Sequence, residues 1–497
     1  MQQDITLEEI QDFKGKYPKQ LWALFLVEMW ERFCFYGMRG MLAIFMIDKI
    51  VGLSLSDKDA NLQYAAIQAF VYAFTFLGGI FADKILGFRK SLFFGGMIMI
   101  LGNLIIAASP KEFFYIGITL SIIGTGFFKP NVSSMVGDLY KEGDGRRDAG
   151  YGMFYAGINI GGLLGGALCV YLGKYVSWNY AFLAAAIVMA LGLITFIFTK
   201  KTLGPIGDSP LKHMPAGKKR TREIGVYMFS LISIPLILIM VQNTHYTDYF
   251  MYTIAPLSVI YFLYETFKVE DRKFRMKLFA AFIFIFCYFL FNAIYEQSGG
   301  SLALFAEKNL SHTLLFFNID PNVVNNSSNS LFVIVLSPLI GLLWLWLAKK
   351  KMEPNSIIKF GIGFLFLAAS FYIFFYTRFF ADANGVTSLN LFTLGYFVTT
   401  IGELCLGPIG MSLVTQLSPK KLTGMMMGMW FLASAFGQFA AGKFGAEMSV
   451  SGDNVSLLTK LESYTSGYYQ LAIYAAIAGV FLILFSPLIK RLMQGVS

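Results

Sequence analysis

Apolar stretches recur from one end of the chain to the other, and each is about 20 residues long, enough to cross a hydrocarbon layer roughly 30 Å thick. Hydrophobic residues make up 56% of the 497 residues and charged residues only 14%, whereas a soluble domain has about 45–50% and 25%. This composition excludes a single water-soluble core. The sequence therefore predicts an all-α integral membrane protein with many spans.

The hydropathy pattern predicts fourteen transmembrane helices in this chain. They cover residues 20–50, 62–85, 90–109, 112–138, 148–173, 178–199, 223–241, 247–267, 276–300, 324–348, 355–378, 388–417, 420–442 and 464–490. A polar loop at 200–222 and a basic stretch at 268–277 divide them into six, two and six helices. This layout predicts the major facilitator fold, in which two six-helix bundles flank an inserted pair and the binding site lies near the midplane.

The predicted domains follow from these divisions. They are a cytoplasmic segment at 1–19, an N-terminal bundle at 20–199, a cytoplasmic linker with the inserted helix pair at 200–275, and a C-terminal bundle at 276–497. The inserted pair carries few charged residues, and a structural, lipid-facing role is favoured over a direct role in transport.

The distribution of basic residues predicts that both termini are cytoplasmic. Of the 40 lysines and arginines, 29 fall on the side of the amino terminus and eight on the opposite side, both counts including residues at span ends, while Arg32, Arg39 and Lys129 lie deep inside predicted spans. The first 19 residues are polar and lack the apolar run of a secretory signal. We therefore expect a multi-pass protein whose amino terminus stays in the cytoplasm.

Several classes of function are disfavoured by the composition. The net charge of +10 does not indicate nucleic-acid binding, because no soluble domain is present to carry a basic face. The four cysteines all lie in apolar segments, so no disulfide framework is expected. The three histidines lie outside the spans, and neither a Cys/His metal spacing nor a nucleophile elbow is found. We expect no enzyme activity, no metal and no cofactor.

Ionisable side chains inside the spans are the strongest functional signal, because each costs several kcal/mol in a bilayer and usually marks a cavity, an ion pair or a proton path. The interior set comprises the cations Arg32, Arg39 and Lys129 and the carboxylates Glu28, Glu31, Glu296 and Glu403. The set therefore contains four acidic and three basic side chains. The excess carboxylate can take a proton or a ligand ammonium, so the set predicts coupled binding of a proton and a small zwitterion.

The first predicted helix carries the densest part of this set. Glu28, Glu31, Arg32, Phe35 and Arg39 follow one another at steps of one to four residues and form one stripe. An internal ion-pair ladder with a purely structural role is the alternative, but a ladder would be expected to balance its charges. Aromatic and amide residues within the spans could add hydrogen bonds and pocket walls; they are Tyr36, Tyr72, Asn159, Asn329 and Trp430.

The run VEMWERFCFYGMRGML resembles the first-helix signature of the proton-coupled oligopeptide transporter family, E-x-x-E-R-F-x-Y-Y-G. Further similarity lies at 78–90, 124–140, 150–162, 295–309, 402–419 and 424–438, so the resemblance covers both halves of the chain. It implies a symporter of the bacterial inner membrane that imports dipeptides and tripeptides with protons by alternating access. It also implies a site for both peptide termini, and we expect the protein to act as a monomer.

The resemblance implies a role for each of the interior residues. By the family pattern, Arg32 and Lys129 receive the peptide carboxylate, and Glu403 receives the amino terminus with help from Asn159 and Asn329. The residues that line the peptide pocket by the same pattern are Tyr36, Tyr72 and Trp430.

Proton coupling is implied for the remaining acids. By the family pattern, Glu28 and Glu31 take part beside Arg32, and Glu296 exchanges between a proton and Arg39. Three positions depart from the pattern: Phe35 replaces the first tyrosine of the signature, Gly407 stands where a serine is common, and Ser330 replaces a proline. These departures bear on side-chain preference rather than on the anchoring of the peptide termini.

Two alternatives stay open from the sequence. A relative specialised for another small anion, such as nitrate, is disfavoured because nitrate has no ammonium for Glu403 to bind. A membrane sensor or receptor is the alternative from another functional class, and counterflow of labelled dialanine would distinguish it from a carrier.

Overall fold

The computed structural model describes residues 5–419, 421–450, 452 and 455–495, and within them helices joined by turns and loops are the main elements, with one short hairpin. The helices are α1 Leu7–Gln11, α2 Lys19–Ile47, α3 Asp57–Phe81, α4 Phe88–Ala108, α5 Pro110–Asp138, α6 Arg146–Tyr175, α7 Trp178–Thr199, α8 Ala216–Gln242, α9 Thr244–Phe267, α10 Arg272–Tyr295, α11 Ser301–Asn309, α12 Pro321–Lys349, α13 Ser356–Tyr376, α14 Leu389–Leu417, α15 Thr423–Met448 and α16 Leu457–Leu492. The hairpin pairs β1 Thr313–Leu314 with β2 Phe317–Asn318 in antiparallel register.

Twelve helices in the described part of the chain are long and apolar enough to cross a membrane, by length and composition. The prediction of an all-helical membrane protein is thereby confirmed. The sequence predicted fourteen spans, two more than the twelve helices that meet this description. The two further helices are α2, which has 29 residues, and α15, which has 26. Helix α2 contains the ionisable stripe of Glu28, Glu31, Arg32 and Arg39, and those charges lower its apolar character.

The chain divides into two compact units. Unit 1 contains the described residues up to Leu53 together with Phe70–Gln242. Its helices approach closely at glycines, as membrane helices commonly do. A Cβ atom at Gly161 or Gly165 of α6 would lie 2.2 Å from the backbone oxygen of Met29 or Phe33 of α2. This contact fixes α2, and with it the ionisable stripe, against α6.

Two peripheral elements complete unit 1. Helix α8, the first of the inserted pair, packs beside α4, where the rings of Phe94 and Tyr227 have centroids 4.7 Å apart. The amino-terminal helix α1 is held by Gln11, whose amide donates to the backbone oxygen of Asp138 at 3.0 Å. The side chain of Ile10 is buried beneath it.

Unit 2 contains Ser54–Ala69 and the described residues from Asn243 onward. The first part of α3 therefore belongs to unit 2, where the Asn61 amide donates to the Gly445 backbone oxygen at 3.3 Å. Helix α9 packs on α10 and α15, with Tyr252 against Phe439 at 5.7 Å between ring centroids. The two inserted helices are thus divided between the units, α8 in unit 1 and α9 in unit 2.

Candidate functional site

The stripe on α2 is centred on Arg32. Its Nε atom lies 3.0 Å from Oε1 of Glu28 and 2.5 Å from Oε2 of Glu31. The three side chains are almost fully buried, with exposed fractions of 2% for Arg32, 3% for Glu28 and 0% for Glu31. One cation thus faces two carboxylates in a place that water barely reaches, where an uncompensated charge is costly.

Several polar atoms of this cluster have no hydrogen-bond partner in the described structure. Apart from the atoms of the ion-pair contacts, they are Nη2 of Arg32, Oε2 of Glu28 and Oε1 of Glu31, all of them buried. A buried polar group without a partner costs about 1–3 kcal/mol, and a charged one costs more. The cluster therefore has donor and acceptor capacity that a carboxylate ligand or a proton can use.

Lys129 lies on α5, directly before Pro130. Its Nζ atom is 4.2 Å from the ring centroid of Tyr72 and 5.3 Å from that of Phe35. Aromatic faces stabilise a cation within about 6 Å. The ammonium also interacts electrostatically with Glu31 and Arg32, so the second cation of unit 1 belongs to the same cluster.

Three more of the predicted residues lie on α2 and α6. The guanidinium of Arg39 is 6.0 Å from the ring centroid of Tyr36, further along the stripe from Arg32. Asn159 is buried on α6, and its amide donates to the backbone oxygen of Tyr155, one turn earlier, at 2.9 Å. The structure therefore brings Tyr36 and Arg39 together, whereas the hydrogen bond of Asn159 stays within its own helix.

In unit 2, three helices converge on Glu403 of α14. Its Oε2 atom accepts a hydrogen bond from the amide of Asn329 on α12 at 2.7 Å and another from the hydroxyl of Tyr295 on α10 at 2.8 Å. The amide of Asn329 also lies 3.3 Å from the hydroxyl oxygen of Thr400. The predicted pair of Glu403 and Asn329 is therefore in direct contact.

Sequence analysis did not single out Tyr295 and Thr400. Each carried a positional signal, because Tyr295 immediately precedes Glu296 and Thr400 lies three residues before Glu403, on the same helix face. Asn325 extends the network one turn along α12: it accepts from the Tyr396 hydroxyl at 2.6 Å and donates to the Ser298 backbone oxygen at 2.8 Å.

The remaining predicted residues of unit 2 lie close to this network. Trp430 stacks on Tyr288 with ring centroids 3.8 Å apart and an angle of 12° between the planes. Glu296 is buried at the end of α10, where its backbone N–H donates to the Asn292 oxygen at 3.0 Å. Its predicted partner Arg39 belongs to unit 1, and that pairing stays a prediction.

The departures from the family pattern also have a structural setting. A Cβ atom at Gly407 would meet nothing within 4 Å, so a serine side chain would fit there. Ser330 is buried in α12 next to Asn329. Phe35 is buried and, beside its contact with Lys129, lies 5.3 Å from the Arg32 guanidinium. The aromatic face is therefore retained where the tyrosine hydroxyl is missing.

Unit 1 thus holds a cation-rich cluster built on the buried Glu28, Glu31 and Arg32, and unit 2 holds a cluster centred on the half-buried Glu403. Groups of three or more His, Cys, Asp or Glu side chains that could hold a metal ion are not found among the described residues. The charged and hydrogen-bonding groups of the two clusters can bind charged ligands and exchange protons.

Comparison with known proteins identifies one family. The family model described as the POT family (PTR2) matches residues 89–457. Among curated relatives, the peptide transporter YePEPT of Yersinia enterocolitica is 33% identical over 501 residues, which cover 96% of each chain. Dipeptide and tripeptide permease A of Cronobacter turicensis is 29% identical and covers 96% of this chain and 94% of the relative.

Solved structures give the same result. A crystal structure of the peptide transporter POT in complex with sulfate superposes with a TM-score of 0.84 at 31% identity, covering 99% of this chain and 100% of that one.

Proposed function

This chain belongs to the POT family, and from that premise we propose that it is a proton-coupled symporter that imports dipeptides and tripeptides by alternating access. It is a multi-pass membrane transporter and not an enzyme. We take α2 and α15 as spans in addition to the twelve apolar helices. The proposed topology then has fourteen spans, bundles at 20–199 and 276–497 with the linker at 200–275, and both termini in the cytoplasm of a monomer.

The observation that carries the proposal is the Arg32 cluster, in which a buried guanidinium has an unpartnered nitrogen beside two acids. In the proposal the peptide carboxylate binds Arg32 and Lys129, because a guanidinium and an ammonium are suited to a carboxylate. The peptide ammonium binds Glu403, with Asn159 and Asn329 as hydrogen-bonding neighbours. The aromatic residues assigned to the pocket wall are Tyr36, Tyr72 and Trp430.

Proton coupling follows from the uneven charge count. A carboxylate of the Glu28 and Glu31 pair takes a proton when the peptide carboxylate competes for Arg32. Glu296 exchanges between a proton and Arg39 on the outer side. Loss of the proton to the more alkaline cytoplasm restores the internal ion pairs and favours release of the peptide, so each ligand shifts an existing equilibrium between conformations.

The test is uptake of labelled dialanine into proteoliposomes that hold the full-length protein, with and without an imposed inward proton gradient. We expect accumulation that requires the gradient. Unlabelled dialanine should compete, while N-acetyl-dialanine and dialanine amide should not, because each lacks one charged terminus. Equal uptake without the gradient would contradict proton coupling, and full competition by the blocked peptides would contradict recognition of the termini.

A matched pair of variants tests whether Glu403 binds the amino terminus of the peptide. Glu403→Gln keeps the size of the side chain and removes the charge, so we expect it to lose gradient-driven uptake. Glu462→Gln, on α16, removes a carboxylate to which we assign no role and should behave as the wild type.

A further inference from the structure

An apolar groove of 410 Å³ lies within unit 2, between α9, α10 and α15. Its walls include Met251 and Ala255 of α9 and Phe286 of α10. On α15 the lining residues extend from Met429 to Phe444, about 22 Å along the helix axis, and on α9 from Met251 to Val259, about 12 Å. The groove therefore continues along α15 beyond the part that α9 covers.

An ion pair between Lys443 and Asp248 lies at one end of the groove. Nζ of Lys443 lies 2.6 Å from Oδ2 of Asp248, and Lys443 itself lines the groove. Asp248 is in the second turn of α9, close to Asn243, and Lys443 is five residues before the end of α15 at Met448. The ion pair therefore lies near one membrane surface. From there the groove runs into the depth of the hydrocarbon.

Helix α9 contacts the rest of unit 2 mainly at two levels. Near its start, Tyr252 packs on Phe439 and Asp248 pairs with Lys443. Near its end, Phe262 stacks on Phe282 with ring centroids 4.5 Å apart. The groove occupies the interval between these levels, so the space beneath the middle of α9 is apolar and open to a chain-like molecule.

We propose that this groove holds one acyl chain of a phospholipid from the leaflet at the Asn243 end, with the lipid phosphate bound to Lys443. An ammonium has three hydrogen-bond donors, and the contact with Asp248 uses one of them. The lining on α15, about 22 Å long, exceeds the roughly 15 Å of one leaflet's hydrocarbon, so an extended acyl chain can lie along α15, with α9 covering about 12 Å of its length. Basic side chains at the membrane surface attract lipid phosphates.

A second groove of unit 2 serves as an internal comparison. It has a volume of 560 Å³, lies between α10 and α16, and includes Leu290 and Phe481 in its walls. No charged residue lies among those that line it. Apolar surface alone gives no preference for one lipid, because lipid tails are as apolar as the helix. We therefore expect the second groove to exchange its lipids freely.

The proposal is tested on the full-length protein in nanodiscs of phosphatidylethanolamine and phosphatidylglycerol that contain a trace of phospholipid with a diazirine in the acyl chain. After photolysis, labelled peptides are mapped by mass spectrometry. We expect residues 251–259 and 429–443 to be labelled about fivefold more than 477–488, as for an anchor of about 1 kcal/mol. Equal labelling of the two regions would overturn the proposal, because it would indicate unselective lipid contact.

Groove-filling variants provide the second readout. Ala255→Trp places a large side chain in the groove, while Leu257→Trp adds the same side chain at a position 53% exposed on the same helix and outside the groove lining. We expect the first to abolish the excess labelling and the second to keep it. Ala440→Phe fills the groove from α15 should Ala255→Trp fail to fold. Unchanged labelling in the filled variants would overturn the proposal.

The headgroup contact is tested separately by native mass spectrometry after mild delipidation. Lys443→Gln should lose the retained phospholipid, and Lys443→Arg, which keeps the charge, should retain it. Retention by Lys443→Gln equal to that of the wild type would show that the phosphate is not held by Lys443.

Discussion

Arg32 is at the centre of the ionic residues of unit 1. Its guanidinium contacts Glu28 and Glu31 through one nitrogen and leaves another without a partner. A lysine has the same charge but a compact ammonium that lacks the planar fork. Arginine at this position can therefore hold the internal acids and present a further donor in a fixed direction, whereas a lysine ammonium has donors but no fixed planar geometry.

We expect Arg32→Lys to lower gradient-driven dialanine uptake by at least about tenfold, the equivalent of one lost hydrogen bond to a charged group. The exposed substitution Arg220→Lys should leave uptake unchanged. Comparable uptake by Arg32→Lys and wild type, at equal protein in the vesicles, would contradict the role of the fork.

A second prediction concerns Tyr295, whose hydroxyl donates a hydrogen bond to Glu403 at 2.8 Å. Hydrogen bonds to charged groups contribute about 1.5–3 kcal/mol. Tyr295→Phe should raise the apparent KM for dialanine by about tenfold or more. Tyr376→Phe, which removes a hydroxyl from a 44% exposed tyrosine, is the control. An unchanged KM in Tyr295→Phe would mean that this hydrogen bond does not support binding.

The residues of the ionic set were predictable because charges are rare within spans. The interior set has seven of the 70 charged side chains, so each one stands out. Tyr295 and Thr400 were not predictable on the same ground. The chain has 26 tyrosines, and most tyrosines in spans contribute packing, so the contact of one of them with Glu403 is a property of the folded arrangement.

At the scale of helices, hydropathy located the spans but not their breaks. The predicted span 276–300 crosses the end of α10 at Tyr295, where Glu296 follows the helix and a turn leads to α11. The turn packs closely on α3: a Cβ atom at Gly299 would lie 2.0 Å from the hydroxyl of Tyr64. Local hydropathy does not register such a contact between distant segments.

The packing of α2 on α6 yields a test of how the Arg32 cluster is positioned. A Cβ atom at Gly165 would lie 2.2 Å from the backbone oxygen of Phe33, whereas one at Gly152 would meet nothing within 4 Å. Gly165→Ala should destabilise the fold by about 1–3 kcal/mol, as overpacking does, and Gly152→Ala should not. Thermal unfolding followed by intrinsic fluorescence measures both, and equal melting temperatures would contradict this packing.

The amino-terminal helix α1 depends on a loop ion pair whose strength varies with pH. Arg146 contacts Asp144 at 2.7 Å and donates to the backbone oxygens of Phe13 and Gly15. The side-chain hydrogen bond from Arg146 lowers the pKa of Asp144 below the ordinary value of about 3.9. Because the pKa falls on folding, the stabilisation is full above about pH 3.9 and is lost as the pH falls through the folded-state pKa.

Hydrogen exchange of residues 7–15 measures this dependence. At pH 7, Asp144→Asn should exchange faster than the wild type, because Arg146 loses its charged partner. At pH values below the folded-state pKa of Asp144, the difference should disappear. A difference that persists at low pH would assign the effect of the substitution to something other than the carboxylate charge.

For the whole molecule, the sequence predicted the class of protein and most of its spans, while the division into units required the structure. The first part of α3 belongs to unit 2 and the rest to unit 1, and the inserted helices are shared between the two. Hydropathy depends on each segment by itself. Membership of a unit depends on contacts such as that of Asn61 with Gly445, 384 residues apart.

The interior set predicted from the sequence comprises four carboxylates and three cations, and this imbalance is the reason to expect a proton to travel with each peptide. The most direct measurement is proton influx into proteoliposomes loaded with a pH-sensitive dye, started by adding dialanine without an imposed pH gradient. We expect dialanine to acidify the vesicle interior in the wild type and not in Glu296→Gln. Uptake of labelled dialanine by the wild type with no accompanying acidification would contradict proton symport.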